Sequence, residues 1–129
     1  MRAADTNILV RLVTRDDKAQ CERAIKFFDG NEVYLPKTAL LELEWVLRYS
    51  YALDTSAIVE AIRALLEMKR VVAEDESAVR EALALMAEGF DFADALHLAS
   101  ASGCKDLATF DQAFAKKAKR AARGRVALI

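Results

Sequence analysis

The 129-residue sequence has little of what several common classes of protein require. Its two cysteines, Cys21 and Cys104, have no CxxC spacing, which argues against a zinc site or a disulfide framework and fits a reducing compartment. We expect both to be small core residues. No uncharged apolar run is long enough to cross a bilayer, and the first residues have no small-residue cleavage site. We therefore expect a cytoplasmic protein and no membrane partner.

Several catalytic motifs are also missing. The sequence has no GxxxxGK[ST] or GxGxxG nucleotide-binding loop and no serine or cysteine nucleophile motif. The one histidine, His97, is three residues after Asp94, but a packed helical histidine is the commoner outcome than a metal ligand or a general base. The acidic residues are therefore the remaining candidates for a functional site.

The composition predicts one folded domain over residues 1–129. Hydrophobic residues make up 54% of the chain and charged residues 30%, as in ordinary globular proteins, and the length allows a core of its own. The net charge of −1 hides an asymmetry, because residues 1–111 carry −7 and residues 112–129 carry +6. The simplest interpretation is a solvated helix face, whereas the alternative is a surface that contacts phosphates. The candidates for such contacts are Lys116, Lys117, Lys119 and Arg120.

Short apolar strand candidates alternate with amphipathic helix candidates along the chain. The strand candidates are 32–35, 69–73, 107–110 and 126–129, and the helix candidates are 16–30, 37–51, 54–68, 75–88, a segment after Gly89, and 112–122. Pro36, the only proline, suits the entry to a helix. This alternation predicts a three-layer α/β/α fold with a mainly parallel sheet.

The first strand has two interpretations. Periodicity favours one strand over residues 3–10. The alternative is a short strand that ends at Asp5, with Thr6 and Asn7 capping a helical turn. In the second case Asp5 and Asp111 both lie at the carboxyl ends of strands, where α/β sheets bind ligands.

Two further acids lie in apolar helices. Asp91 and Asp94 are three residues apart and share a helical face. On helix 37–51, Glu42 shares its face with Ala39 and Trp45, so we expect it to point inward, while Glu44 lies opposite and can pair with Arg48. Trp45, Phe92 and Phe110 are expected in the core rather than stacked on bases.

The four acids in strand-end or apolar settings are Asp5, Glu42, Asp94 and Asp111, with Asp91 as a possible fifth. Clustered carboxylates raise one another's pKa unless a cation lies among them, and oxygen ligands suit Mg²⁺ or Mn²⁺. Metal-assisted hydrolysis of a phosphodiester is the chemistry that such a site supports most directly. Each acid also has a structural interpretation, namely an Asx turn at Asp5, a buried ion pair at Glu42, a helix-dipole contact at Asp94 and an N-cap at Asp111.

Four segments, AADTNILVR, LLELEWVLR, DFADALHLASA and ATFDQAF, resemble in order and spacing the signature blocks of the PIN-domain ribonucleases, and among them the VapC-like toxins of toxin–antitoxin pairs. The resemblance implies that Asp5, Glu42, Asp94 and Asp111 bind Mg²⁺ or Mn²⁺. It further implies that Thr6, Asn7 and Asp91 support the site. It also favours the short first strand that ends at Asp5.

The same resemblance implies an RNA substrate, with transfer RNA as one candidate, a homodimer, and inhibition by a cognate antitoxin whose segment crosses a hydrophobic groove. Two other hypotheses remain. One is a PIN-like domain without activity that binds RNA or a protein partner. The other is an α/β phosphatase or phosphotransfer domain, which is disfavoured because Asp5 is not followed by a second Asp two residues on.

Overall fold

A computed structural model describes residues 1–123 and 125–129. The described residues form seven helices and five strands. In chain order these are β1 (Arg2–Ala3), α1 (Thr6–Thr14), α2 (Lys18–Gly30), β2 (Val33–Leu35), α3 (Lys37–Tyr49), α4 (Thr55–Leu66), β3 (Val71–Ala73), α5 (Glu76–Ala87), α6 (Phe92–Ser100), β4 (Leu107–Thr109), α7 (Gln112–Arg120) and β5 (Val126–Leu128). Among these helices none is both long enough and apolar enough to span a membrane.

The chain divides into two compact units, Met1–Glu76 and Ser77–Ile129. In the first, β1, β2 and β3 form a parallel sheet in that order, with Ala3 opposite Tyr34 and Tyr34 opposite Val72. In the second, β4 and β5 pair in parallel, with Ala108 opposite Ala127. The α/β class with parallel strands is therefore confirmed.

The first unit has its core beneath the sheet and between its helices. Val33 and Leu35 of β2 are fully buried, and so are Leu40, Leu43 and Leu47 along one side of α3. Helix α1 packs against both α2 and α3, and α4 packs against α3 and β3. Asp17 caps α2 and Asp54 caps α4, each by accepting a backbone N–H from the first turn. The predicted elements of this unit are present, with ends that differ by a few residues.

The prediction of a strand over residues 3–10 is wrong. Helix α1 begins at Thr6, and its N-cap is Asp5, whose carboxylate accepts the Thr6 N–H, rather than Thr6 or Asn7. The apolar residues Leu9, Val10 and Leu12 are buried at helical spacing. A short run of β-branched and apolar residues fits both periods, and here the capping carboxylate favours the helix.

In the second unit, Gly89 sets the direction of the chain between two helices. Its φ of +100° is left-handed, and with it the Phe90 N–H reaches back to the Leu85 carbonyl and ends α5. Phe90 is then buried against Phe114 of α7, with the two rings edge to face. The turn therefore places Asp91 at the start of α6.

The two cysteines have different environments. Cys21 is buried on α2, as predicted, but Cys104 is exposed, so the prediction that both belong to the core is half wrong. Cys104 lies in the turns after α6, where the short connection leaves its side chain uncovered.

Candidate metal and nuclease site

Two helix starts in the second unit carry the acids of the DFADA and TFD segments. Asp91 is the N-cap of α6 and accepts the Asp94 N–H at 3.2 Å. Asp111 is the N-cap of α7 and accepts the Phe114 N–H at 2.9 Å. Asp94 itself lies in the first turn of α6 and is half-buried. Each capping bond uses one carboxylate oxygen, so further lone pairs are left for another ligand.

These carboxylates influence one another electrostatically. The pKa of Asp94 is raised above its ordinary value, first by burial and then by the negative charges of Asp91 and Asp111. His97 and Lys117 act in the opposite direction and are weaker influences. The three acids therefore form a negative region in which the charge on Asp94 is unfavourable, and a cation placed there would relieve it.

The first unit holds the other two predicted ligands. The carboxylate of Asp5 is exposed and lies at the end of the short first strand, where its Oδ1 accepts the Thr6 N–H at 2.8 Å. The Thr6 hydroxyl is buried and has no hydrogen-bond partner among the described residues. The hydroxyl therefore makes no hydrogen bond to Asp5, and the support role that the sequence suggests for Thr6 remains a prediction. Asn7 is exposed and lines a pocket of about 360 Å³ between α1 and α2.

The structure reverses the predicted orientation of the two glutamates of α3. Glu42 is exposed, whereas Glu44 is 2% exposed. Glu44 accepts a hydrogen bond from Arg48 at 2.7 Å, as predicted, and Arg48 also donates to the Thr55 hydroxyl. The face predicted as inward was wrong because α3 buries the side that carries Leu40, Leu43 and Leu47, with Glu44 beside it. Exposure leaves Glu42 free to bind a ligand, so its assignment from the motif remains a prediction.

The donor chemistry suits a hard divalent cation. Within the described residues, no group of three or more His, Cys, Asp or Glu side chains is already arranged to hold a metal. The negative charges of Asp91 and Asp111 nevertheless act on Asp94, and carboxylate oxygens are the preferred ligands of Mg²⁺ and Mn²⁺. Asp94 and Asp111 would hold such an ion in the second unit.

The basic residues of α7 and of the segment after it fall into two groups. Lys117 donates to the Gly89 carbonyl at 2.8 Å and lies over the Phe90 ring, so its ammonium has a structural role. Arg123 pairs with Glu88, and Arg125 donates to the Ala101 and Cys104 carbonyls. By contrast, Lys116, Lys119 and Arg120 are exposed and make no recorded hydrogen bond or ion pair within the described residues.

Two of the three aromatic residues expected in the core are on the surface. Phe92 is buried as predicted, but Trp45 is 59% and Phe110 is 82% exposed. His97 is exposed as well, so the packed helical position predicted for it is wrong. Sequence reasoning missed Tyr49, which is 77% exposed one helical turn after Trp45. Trp45 and Tyr49 are three and seven residues after Glu42, and this spacing would have placed the three side chains on one helix face.

Comparisons with known proteins identify the family of the chain. Among the curated proteins compared, none matches the chain significantly. A model of the PIN domain family matches residues 3–120, a range that includes every predicted ligand. PIN domains are generally nucleases, and PIN nucleases generally use divalent metals. Because the match covers most of the sequence, the chain belongs to the PIN domain family.

Proposed function

We propose that this protein is a divalent-metal-dependent endoribonuclease of the VapC-like type, which hydrolyses RNA phosphodiester bonds and is inhibited by a cognate antitoxin. The observation that carries the proposal is the PIN domain match over residues 3–120, a range that contains Asp5, Glu42, Asp94 and Asp111. Burial and the charges of Asp91 and Asp111 raise the pKa of Asp94, and a cation bound there would offset this unfavourable charge.

In this proposal Asp94 and Asp111 bind Mg²⁺ or Mn²⁺, with Asp91 as an accessory acid. Asp5 and Glu42 complete the ligand set, and their place rests on the sequence motifs. The bound ion supplies an activated water and neutralises charge on the phosphate in the transition state. The residues do the positioning: the N-cap hydrogen bonds fix the carboxylates of Asp5, Asp91 and Asp111 on rigid helix starts. Thr6 supports Asp5 through its backbone N–H, which donates to Asp5 Oδ1.

Two surfaces of the first unit support the proposed antitoxin and the proposed homodimer. An open groove of about 760 Å³ is lined largely by apolar residues of α1 and α4, among them Leu12, Ala61 and Ala64. Such a groove suits an amphipathic antitoxin segment. The exposed Trp45 and Tyr49 on α3 suit an interface with a second copy of the chain, since Trp and Tyr are enriched in such contacts.

The test is cleavage of a cellular RNA pool by purified protein in Mg²⁺ or Mn²⁺, in EDTA, and with two matched variants. Asp94→Asn removes a proposed ligand, and Asp106→Asn removes a half-buried acid of the same unit that has no proposed role. We expect wild type and Asp106→Asn to cleave with metal only. Asp94→Asn should lose at least about 100-fold in rate, as expected when several kcal/mol of transition-state stabilisation are removed.

The second candidate is an inactive PIN-like module that binds RNA or a protein, and the exposed cations of α7 favour it independently of the acids. RNA binding without cleavage, unchanged by metal and by Asp94→Asn, would support this candidate. Cleavage that persists in EDTA would contradict both proposals.

A further inference from the structure

Phe110 is an exception among the aromatic residues of the second unit. Phe90, Phe92 and Phe114 are buried there, whereas Phe110 is 82% exposed, between the end of β4 and Asp111. Within the described residues it makes no recorded contact with another ring or with a cation. An exposed phenyl ring gives up the stabilisation that burial provides, so packing does not explain its position.

The neighbouring helix presents positive charge on its outer face. Phe114 and Ala118 of α7 point into the unit, while Lys116, Lys119 and Arg120 are exposed. Lys119 and Arg120 are three and four residues after Lys116, so the three side chains lie on one side of the helix and form one stripe. From Lys116 to Arg120 the stripe spans about 6 Å along α7, or roughly one helical turn.

We propose that Phe110 and this stripe form a binding surface for single-stranded RNA, in which Phe110 stacks on an unpaired base and Lys116, Lys119 and Arg120 contact the adjoining phosphates. The proposal rests on the nuclease function proposed above and adds a substrate-binding element to it. Exposed aromatic rings beside cations are the usual means of holding single strands, since every base offers a π face and every phosphate a charge. An apolar protein surface could bury the ring but would leave Lys116, Lys119 and Arg120 without anionic partners.

This surface would favour unpaired RNA over a duplex. Because Phe110 directly precedes Asp111 in the chain, a base stacked on its ring lies close to the phosphate at the acidic cluster. A base inside a duplex is already stacked and paired, so its face is not available to the ring. We therefore expect the protein to select unpaired RNA, such as a loop or a single-stranded segment, over a duplex of the same sequence.

The first experiment measures binding separately from cleavage. All proteins carry Asp94→Asn to suppress hydrolysis, and the probe is a fluorescein-labelled oligouridine of about 12 nucleotides, read by anisotropy in Mg²⁺. Phe110→Ala should weaken binding by about tenfold to a hundredfold, the loss typical of one base-stacking contact. Phe110→Trp should retain binding, because the ring face is kept. Phe110→Leu should behave like Phe110→Ala, because an aliphatic side chain cannot stack in the same way.

The second experiment tests the cations through the salt dependence of RNA binding. The variant with Lys116→Gln, Lys119→Gln and Arg120→Gln should bind more weakly, and the slope of log K against log salt should fall by about 2, since each phosphate contact to a single strand contributes about 0.7. Lys69→Gln with Lys105→Gln is the matched control, because both residues are exposed cations outside the stripe. Its binding should equal that of the parent.

Several outcomes would overturn the proposal. One is equal binding by Phe110→Ala and the parent, and another is binding by Phe110→Leu as tight as by Phe110→Trp. A third is tighter binding of the annealed duplex than of the single strand. The last is a change in the oligomeric state of the Phe110 variants with RNA binding unaffected. The last would show that the ring serves a second copy of the chain. Cleavage by the protein with native Asp94 is assayed in parallel, so a failure of the nuclease proposal is seen independently of the Phe110 result.

Discussion

Two glutamates of α3, two positions apart, differ in what their removal should cost. Glu44 is buried and bonded to Arg48, so Glu44→Ala leaves the guanidinium without its carboxylate partner and with only the Thr55 hydroxyl. We expect a loss of about 2 kcal/mol or more in the free energy of unfolding, measured by urea titration. Exposed Glu42 has no such role, and Glu42→Ala should change stability by less than about 0.5 kcal/mol while abolishing metal-dependent cleavage. Equal effects of the two variants on stability would contradict this assignment.

The environment of the Asp94 carboxylate leads to two expectations for the melting temperature, one for a substitution and one for added metal. Because burial and the charges of Asp91 and Asp111 make the charge on Asp94 unfavourable, Asp94→Asn should raise the melting temperature of the metal-free protein. Mg²⁺ or Mn²⁺ should raise the melting temperature of wild type by binding the folded state, and Asp94→Asn should lose most of that rise. Thermal scans in EDTA and in metal, with Asp106→Asn as the control, measure both effects. A metal response in Asp94→Asn as large as in wild type would remove Asp94 from the ligands.

At the scale of elements, the turn from α5 to α6 depends on Gly89. Its φ of +100° is costly for any residue with a Cβ atom, although no atom lies within 4 Å of the position that a Cβ would occupy. Gly89→Ala should therefore destabilise the protein by about 1 kcal/mol or more through backbone strain alone. Gly30, the last residue of α2, also has open space but no positive φ. Gly30→Ala is expected to be neutral or stabilising, and a loss there equal to that of Gly89→Ala would contradict the argument from strain.

A hydrogen-bonded network ties the end of α1 to the segment after α3. Asp16 accepts from the Tyr51 hydroxyl at 2.6 Å, from Thr14 and from Arg11, and the Tyr51 bond is the largest cause of its lowered pKa. A lowered folded-state pKa stabilises the fold above the ordinary value of 3.8, and this contribution is lost as pH falls through the folded-state pKa.

Tyr51→Phe should accordingly reduce stability at neutral pH and lessen its decline in acid. Unfolding of wild type and Tyr51→Phe between about pH 7 and pH 3 measures the difference, which should shrink as pH falls. Tyr34→Phe is the control, because the Tyr34 hydroxyl makes no recorded hydrogen bond in the described residues. A difference between wild type and Tyr51→Phe that is constant over this range would exclude Asp16 as its source.

At the scale of the whole molecule, the proposed dimer has a defined test. Trp45 and Tyr49 are the large exposed side chains of α3, and replacing both with serine removes apolar surface that only a partner could bury. Sedimentation velocity should show a dimer for wild type and a monomer for the double variant. Val72→Ser, an exposed apolar position outside α3, should leave the dimer intact. A monomeric wild type would refute the dimer proposal.

Much of the fold follows from local sequence. Asp17 and Asp54 cap helices where an acid precedes an amphipathic run, and Pro36 precedes α3. The acid motifs also identified the family, since the blocks that hold Asp5, Glu42, Asp94 and Asp111 lie inside the matched range. Local reasoning failed at residues 3–10, where a short apolar run fits both a strand and a helix.

The sequence by itself determined most of the helices and strands and the acids that cap α2 and α4, because these depend on neighbours within a few residues. It also identified the carboxylates that we propose as metal ligands. Only the tertiary structure decided that Glu44 is buried and Glu42 exposed, and that Phe110 faces solvent while Phe92 does not. It also showed that Lys117 is bonded to the carbonyl of Gly89, 28 residues earlier in the chain, whereas Lys116, Lys119 and Arg120 make no recorded bond within the described residues. The physical reason is that burial and pairing depend on which distant segment covers each helix face, and no periodicity along the chain contains that information.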